Sequence, residues 1–90
     1  MKEVVSTTQF RKDFRRYQLF PDKLKKLLLV IQLLENEEPI PLHYKPHLLK
    51  GNYKGYMECH IENDFLLIWI DESSSVVKLI RLGSHSELFR

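Results

Sequence analysis

The spacing of apolar residues changes along this chain from a helical period to an alternating one. Phe10, Phe14 and Tyr17 recur at i, i+4 and i+7, which predicts a short amphipathic helix. The segment Ser6 to Gln9 has the spacing of a capping box, so we expect this helix to begin there, after a short strand at residues 3–5.

A second helix is predicted from Pro21 to about Glu38. Proline suits the first turn because it needs no backbone partner there, and Asp22 complements the positive end of the helix dipole. Leucines recur so densely that we expect this helix to pack between its neighbour and a sheet. Its predicted buried face is Leu24, Leu27, Leu28, Ile31 and Leu34, widened by Val30 and Leu33.

The second half of the chain predicts three strands. Residues 39–53 contain three prolines and no clean period, which indicates a long loop. Residues 56–62 alternate between polar and apolar side chains, as in a half-buried strand, and Asn63-Asp64 suits a tight turn. Residues 65–70 are all apolar, as in a central strand covered on both faces, and residues 76–82 predict a third strand.

The segment after Gly83 has a second capping-box pattern, Ser84 to Glu87, which predicts a terminal helical turn. The predicted order is β-α-α-β-β-β-α. It indicates an α+β fold in which two N-terminal helices pack on an antiparallel sheet. A chain of 90 residues is expected to form one domain, residues 1–90.

Composition narrows the compartment and the partners. The single cysteine, Cys59, cannot form an intramolecular disulfide, and the first residues lack a secretory apolar region, so we expect a soluble cytoplasmic protein without a membrane partner. Residues 1–54 contain 11 Lys/Arg and 6 Asp/Glu, whereas residues 55–90 contain 3 and 6. This asymmetry favours a polyanion or an acidic protein partner, although a solvated helix face explains it about equally well. The cations of the first helix that we expect to contact such a partner are Arg11, Lys12, Arg15 and Arg16.

Four histidines from residue 43 onward fall in polar clusters and suggest acid-base chemistry, because imidazole exchanges protons near neutrality. We expect the turn after the first alternating strand to bring Asp64 close to His60, where a carboxylate could orient the imidazole. His85 is expected in the first turn of the last helix, where the dipole attracts anions. Metal-free RNA cleavage needs a base for the 2′-hydroxyl and an acid for the 5′-oxygen, with cations to hold the phosphate. The candidate cations are Lys50, Lys54 and Arg81.

The same polar residues also allow two interpretations that involve no acid-base catalysis. They could be solvated surface groups, which are common. Alternatively, His47, His60, Asp64 and His85 could hold a metal, but no local ligand pair has a recognised metal spacing, so we expect neither a bound metal nor another cofactor.

Three segments in order resemble the successive motifs of YafQ-type toxins in the RelE superfamily. They are residues 44–51 (YKPHLLKG), 55–64 (GYMECHIEND) and 81–89 (RLGSHSELF). The early helix (FRKDF) matches as well, so the resemblance covers nearly the whole chain. It implies a RelE-like fold and a ribosome-dependent mRNA endoribonuclease that a cognate antitoxin inhibits, with operator DNA bound only through the toxin-antitoxin complex.

The resemblance implies that His47, His60, Asp64 and His85 are functional residues, but it does not say which histidine is the acid and which is the base. We expect His85 to be the general acid, His60 with Asp64 the base, and His47 a residue that positions RNA. Phe89 and Arg81 match further functional positions. Met57 replaces a common arginine, and Pro46 a common acidic residue, so phosphate binding is expected to rely more on Lys50, Lys54 and Arg81. The alternative from another class is a catalytically weak module that represses its own promoter together with the antitoxin.

Overall fold

The computed structural model describes residues 1–89, and within that range it confirms the predicted α+β class. Two N-terminal helices are followed by the remaining strands and a short final helix. The elements are β1 (Glu3–Ser6), α1 (Thr8–Arg16), α2 (Pro21–Glu35), β2 (His47–Leu48), β3 (Met57–Glu62), β4 (Phe65–Ser73), β5 (Val76–Gly83) and α3 (His85–Leu88). The predicted loop at residues 39–53 is thus interrupted by β2, and by 3₁₀ turns at Leu42–Tyr44 and Gly51–Tyr53.

The strands of residues 1–89 form one sheet in the order β1-β5-β4-β3-β2. Strands β3, β4 and β5 pair antiparallel, as predicted, and β2, which the sequence did not predict, pairs antiparallel with β3. Strand β1 pairs parallel with β5, with Glu3 opposite Val76, so the prediction of an antiparallel sheet was wrong at this edge. The reason is that the α1-α2 crossover carries the chain away from β1, and local periodicity does not encode which distant strand will lie beside it.

The residue that caps α1 lies one position later than predicted. The Thr7 hydroxyl, not that of Ser6, accepts a hydrogen bond from the Phe10 amide at 2.9 Å. Ser6 remains in β1, and the Gln9 amide donates to Asp13 at 3.1 Å instead of closing a capping box. The predicted capping box was therefore wrong, although a hydroxyl cap does begin the helix.

Helix α2 ends at Glu35, earlier than the predicted Glu38. Leu27 and Val30 are completely buried, but Leu28 is 53% exposed, so its predicted burial was wrong. The continuous apolar run in this helix obscured its true period. Because the sheet covers only one side of α2, the opposite face is open to solvent.

The two faces of the sheet carry unequal apolar layers. Strand β4 contributes to both, which confirms a central strand covered on each side. The face under α1 and α2 holds the larger core: Phe10, Leu27, Val30, Cys59, Ile61, Phe65, Leu67, Trp69, Val77, Leu79 and Leu82. The opposite face holds Leu66, Ile68 and Leu88, against which Leu49, Tyr53, Tyr56 and Ile80 pack.

Across residues 1–89, no helix combines the length and the apolar character needed to cross a bilayer.

Candidate functional site

Three of the predicted histidines form a row on the face of the sheet that carries the smaller apolar layer. His47 lies in β2, His60 in β3 and His85 at the start of α3. The ring centroids of His47 and His60 are 6.1 Å apart, and those of His60 and His85 are 5.7 Å apart. Sheet register explains the second contact: His60 pairs with Leu66 and Leu66 with Gly83, so the residues after Gly83 emerge beside His60.

His43, the fourth histidine, does not extend this row. It is exposed in the 3₁₀ turn before β2, and its ring lies 4.1 Å from that of Tyr44.

Asp64 lies in the turn between β3 and β4, with a backbone φ of 56° that aspartate tolerates better than most residues. Its Oδ1 accepts hydrogen bonds from the His85 amide and from His85 Nδ1, each at 2.8 Å. These two bonds hold the pKa of Asp64 below its usual range. We predicted a pairing with His60, but the carboxylate instead binds the imidazole of α3, because the turn and the start of α3 meet at the same end of the sheet.

Glu58 is a site residue that the sequence did not identify. Alternation placed it on the polar face of β3 with His60, yet it is only 3% exposed, because β2 on one side and β4 on the other enclose it. Its Oε1 lies 3.0 Å from His47 Nε2 and 3.9 Å from His60 Nε2. Its Oε2 is buried and has no hydrogen-bond partner among residues 1–89. The two-residue spacing from His60 was the available signal.

Among His47, His60 and His85, the side chain of His60 is the least exposed. Burial lowers the pKa of His60, and the nearby Glu58 carboxylate opposes this effect. The net direction keeps His60 neutral near pH 7, and a neutral imidazole can accept a proton.

Arg81 has protein partners for each of its guanidinium nitrogens. Its Nε and Nη2 donate to Asp13 at 2.8 and 3.3 Å, and its Nη1 donates to the Tyr53 hydroxyl at 3.4 Å. Asp13 is completely buried and also accepts from the Leu82 amide at 3.0 Å. A phosphate would have to compete with these bonds, so the phosphate-binding role of Arg81 stays a prediction.

Glu87 ties α3 to α1. Its Oε1 accepts from the Tyr17 hydroxyl at 2.6 Å and from the Ser84 amide at 2.8 Å, which confirms the predicted second capping box. Its Oε2 accepts from Arg16 at 3.5 Å. Gly83 is needed here: its φ is 155°, and a Cβ would lie 2.7 Å from Glu87 Oε1. These contacts fix the helix that carries His85.

The predicted cations of α1 are exposed but only partly free. Arg11 donates to the Ser6 carbonyl at 2.8 Å, and Arg15 to the Arg11 carbonyl at 3.4 Å. Lys12 is exposed. The RNA-binding role of Arg11, Lys12, Arg15 and Arg16 stays a prediction.

One of the predicted loop cations, Lys50, lines a cavity with Leu88, which belongs to the smaller apolar layer of the sheet. Lys50 and Lys54 are exposed and border an apolar groove of about 600 Å³ with Leu48, Leu49 and Gly55. The rings of Phe89 and His85 are tilted relative to each other, and their centroids lie 6.1 Å apart. Cys59 faces the core, where burial raises the pKa of its thiol to about 12 and makes it a poor nucleophile.

A candidate metal-ligand set differs from the one weighed in the sequence. Ligand atoms of His47, Glu58 and His60 lie within 4.8 Å of one another. The orphaned carboxylate oxygen of Glu58 supplies a donor that a cation would satisfy. Imidazole nitrogens with a carboxylate suit zinc or copper, so these residues fit a divalent cation.

Comparisons with known proteins identify the family of this chain. The model of the YafQ family, bacterial toxins of type II toxin-antitoxin systems, matches residues 2–90. The mRNA interferase toxin YafQ of Escherichia coli strain K12 is 33% identical over 89 residues, 98% of this chain and 96% of that protein.

Solved structures agree. A copper-bound mutant toxin from Helicobacter pylori matches with a TM-score of 0.89 and 37% identity, covering 99% of this chain and all of that one. A chain of the E. coli DinJ-YafQ complex matches with a TM-score of 0.86 and 32% identity over the full length of both chains. The chain therefore belongs to the YafQ family of bacterial toxins from type II toxin-antitoxin systems.

Proposed function

We propose that this chain is an endoribonuclease that cleaves messenger RNA on the ribosome by metal-free acid-base chemistry. The observation that carries the proposal is the row of His47, His60 and His85 with a carboxylate bound to His85 Nδ1. Two imidazoles whose ring centroids lie 5.7 Å apart can exchange protons with the 2′-oxygen and the 5′-oxygen on opposite sides of one phosphodiester. The mRNA interferase activity of the related E. coli protein supports the same substrate.

In the proposed reaction His60 takes the proton of the 2′-hydroxyl, and the 2′-oxygen attacks phosphorus. The bond from phosphorus to the 5′-oxygen breaks, and His85 donates its Nε2 proton to that oxygen. The products are a 2′,3′-cyclic phosphate and a 5′-hydroxyl. Asp64 suits the acid because its carboxylate lies 2.8 Å from His85 Nδ1 and orients the ring, so that Nε2 is the nitrogen that donates the proton.

Cations would hold the substrate while the protons move. Lys50 is exposed and lines a cavity with Phe89, whose ring centroid is 6.1 Å from that of His85, and Lys54 borders a groove with Lys50. Both lysines would bind phosphate oxygens of the RNA backbone, and His47, at the far end of the row from His85, would position the RNA. The basic face of α1 extends this surface, because Arg16 contacts Glu87 in α3.

The proposed partners are a cognate antitoxin, the ribosome and mRNA, with operator DNA bound only through the antitoxin complex. The E. coli relative forms a complex with DinJ, which supports an antitoxin partner for this chain. An acidic antitoxin segment would be attracted to the same basic surface that would otherwise bind RNA.

A histidine replacement tests the proposed activity. We expect His85→Ala to lower the single-turnover cleavage rate on programmed ribosomes by about 10²- to 10⁴-fold, as for other lost general acids. Growth arrest on expression should disappear. His43→Ala is the matched control, because His43 is also an exposed histidine and, although it lines a cavity with His60, it moves no proton in the proposed reaction.

Two results would contradict the proposal. One is a folded, ribosome-bound His85→Ala protein that cleaves as fast as the parent. The other is a 3′-hydroxyl product, because the proposed chemistry leaves a cyclic phosphate. A parent protein that binds antitoxin and operator DNA but never cleaves RNA would favour the co-repressor alternative.

A second role, divalent-cation binding, is favoured by the orphaned Oε2 of Glu58 beside His47 and His60. A mutant of a related H. pylori toxin has a copper-bound structure, which supports this candidate. When bound, such a cation polarises its ligands and nearby water. Here it would also occupy imidazole lone pairs that the proposed acid-base chemistry needs, so we expect it to inhibit cleavage.

Titration with Zn²⁺ or Cu²⁺ tests this role. We expect parent protein to bind the cation and lose activity, and EDTA to restore cleavage when ribosomal magnesium is held constant. Glu58→Gln should bind more weakly, whereas His85→Ala should bind as the parent does. Activity that EDTA abolishes under these conditions would overturn the metal-free mechanism.

A further inference from the structure

A cavity of about 330 Å³ lies beside the histidine row and has no role in the acid-base steps. Its volume is at the small end of the range for ligand pockets, about 300 to 1,000 Å³. The cavity is lined by Lys50, Asn52, Tyr53, Leu88 and Phe89. It thus combines a cation, a side-chain amide, two aromatic rings and an aliphatic floor.

The aromatic walls are held in place. The Tyr53 hydroxyl accepts a hydrogen bond from Arg81 at 3.4 Å, and Arg81 is itself held by the buried Asp13. Phe89 meets Tyr53 edge to face, with ring centroids 5.7 Å apart and an interplanar angle of 86°. Leu88 is buried. A pocket whose walls are ordered before binding loses less entropy when a ligand enters.

The cavity adjoins the proposed reaction site through a single residue. Phe89 lines the cavity, and its ring centroid is 6.1 Å from that of His85. A nucleotide whose phosphate lies between His60 and His85 would therefore direct the neighbouring base toward this cavity.

We propose that this cavity binds one nucleobase of the RNA next to the cleaved phosphate and selects among bases. The inference rests on the proposed endoribonuclease function. The rings of Tyr53 and Phe89 contact the base, since every base has a π-face that aromatic side chains bind. The Asn52 amide supplies an acceptor and two donors for a base edge, and Lys50 binds the adjoining phosphate.

The decisive variants change Asn52 without removing an apolar wall. Asn52→Asp keeps the shape but replaces the donors by acceptors, and Asn52→Ala removes both. Cleavage products from ribosomes programmed with all four bases at each position around the cut should show base selectivity at one position. We expect selectivity there to fall about tenfold in Asn52→Ala and to change its preferred base in Asn52→Asp. Asn36→Asp, an exposed asparagine at the end of α2, is the matched control.

A binding measurement separates this inference from the cleavage activity. Trinucleotides with 2′-O-methyl groups cannot be cleaved by attack of the 2′-oxygen, so their binding can be followed by NMR. We expect shifts of the Asn52 side-chain amide and of the Tyr53 and Phe89 rings that depend on the base.

The outcomes are distinguishable. If the parent cleaves RNA but base selectivity is the same in all Asn52 variants, and trinucleotides shift only the histidines, the base pocket is refuted and the nuclease stands. If trinucleotides shift the pocket in a base-dependent way but no RNA is cleaved, the nuclease fails. Shifts at the pocket with antitoxin but never with RNA would assign the cavity to the protein partner and overturn the inference.

Discussion

The two faces of the sheet differ in what their buried groups do. On the helix face, Asp13 is completely buried and its carboxylate is saturated by Arg81, the Leu82 amide and Gln9. On the histidine face, the side chains of Asp64 and His85 are 57% and 56% exposed and bind each other at the rim of a thin apolar layer. The first carboxylate is inaccessible and serves packing, whereas the second can be reached by a substrate.

This difference suggests a division of labour within a small domain. A chain of 90 residues buries a limited core, so stability is concentrated where α1 and α2 cover the sheet. The opposite face carries fewer apolar groups and so leaves room for ionisable side chains in contact with solvent. Mutations on the two faces should therefore separate stability from activity.

The largest effect on stability is expected from Asp13→Ala. It would leave the Arg81 guanidinium, whose side chain is 19% exposed, without its main partner. Breaking a buried ion pair from one side typically costs about 3 to 5 kcal/mol, measurable by urea unfolding. The control is Asp71→Ala, which removes the exposed pair with Lys2 and should cost at most about 1 kcal/mol. Equal losses in both variants would contradict the distinction between the buried and the exposed carboxylate.

The neighbouring leucines of α2 offer a sharper comparison. Leu27→Ala should destabilise the protein by about 2 to 5 kcal/mol, because Leu27 is completely buried in the helix-face core. Leu28→Ala should change the free energy of unfolding by about 0.5 kcal/mol or less, because Leu28 is 53% exposed. A large loss in Leu28→Ala would show that α2 is covered in solution.

On the histidine face, Asp64→Asn should affect cleavage more than folding. We expect the single-turnover rate to fall about 10- to 100-fold, the range found for carboxylates that orient metal-binding imidazoles. A cleavage rate equal to that of the parent would remove Asp64 from this role. Urea midpoints of the two proteins should agree closely.

The smallest effect concerns the pH dependence of stability. Hydrogen bonds from Lys23 and Lys26 lower the pKa of Glu62 at the end of β3. A carboxyl group with a lowered folded-state pKa adds stability above its unfolded value, about 4.3, and this contribution is lost as pH falls through the folded value. Glu62→Gln should therefore flatten the acid-side decline in thermal midpoint. An unchanged decline would show that this surface pair contributes nothing measurable.

Local sequence patterns predicted the helices and strands whose formation depends on residues close together in the sequence. The apolar stripe of α1, the alternation of β3, the apolar run of β4 and the capping box at Ser84 each depend on residues within a few positions. They were accurate for that reason. Errors appeared where a local pattern was ambiguous, as at Ser6, whose neighbour Thr7 is an equally good cap, and at Leu28, inside a continuous apolar run.

The candidate site, likewise, could be predicted only in part from the sequence. The sequence by itself indicated which residue types were available for chemistry, namely His47, His60, Asp64 and His85, and the family to which their spacing belongs. It could not indicate which groups would pair.

Only the tertiary structure decided those pairings, because they depend on strand register and crossover. The Arg81-Asp13 bond joins residues 68 positions apart, and the Asp64-His85 bond joins residues 21 positions apart. Glu58 became a buried neighbour of His47 and His60 only when β2 was added beside β3. Local periodicity places a side chain on a face, but the free energy that selects its partner comes from groups that folding brings together from distant parts of the chain.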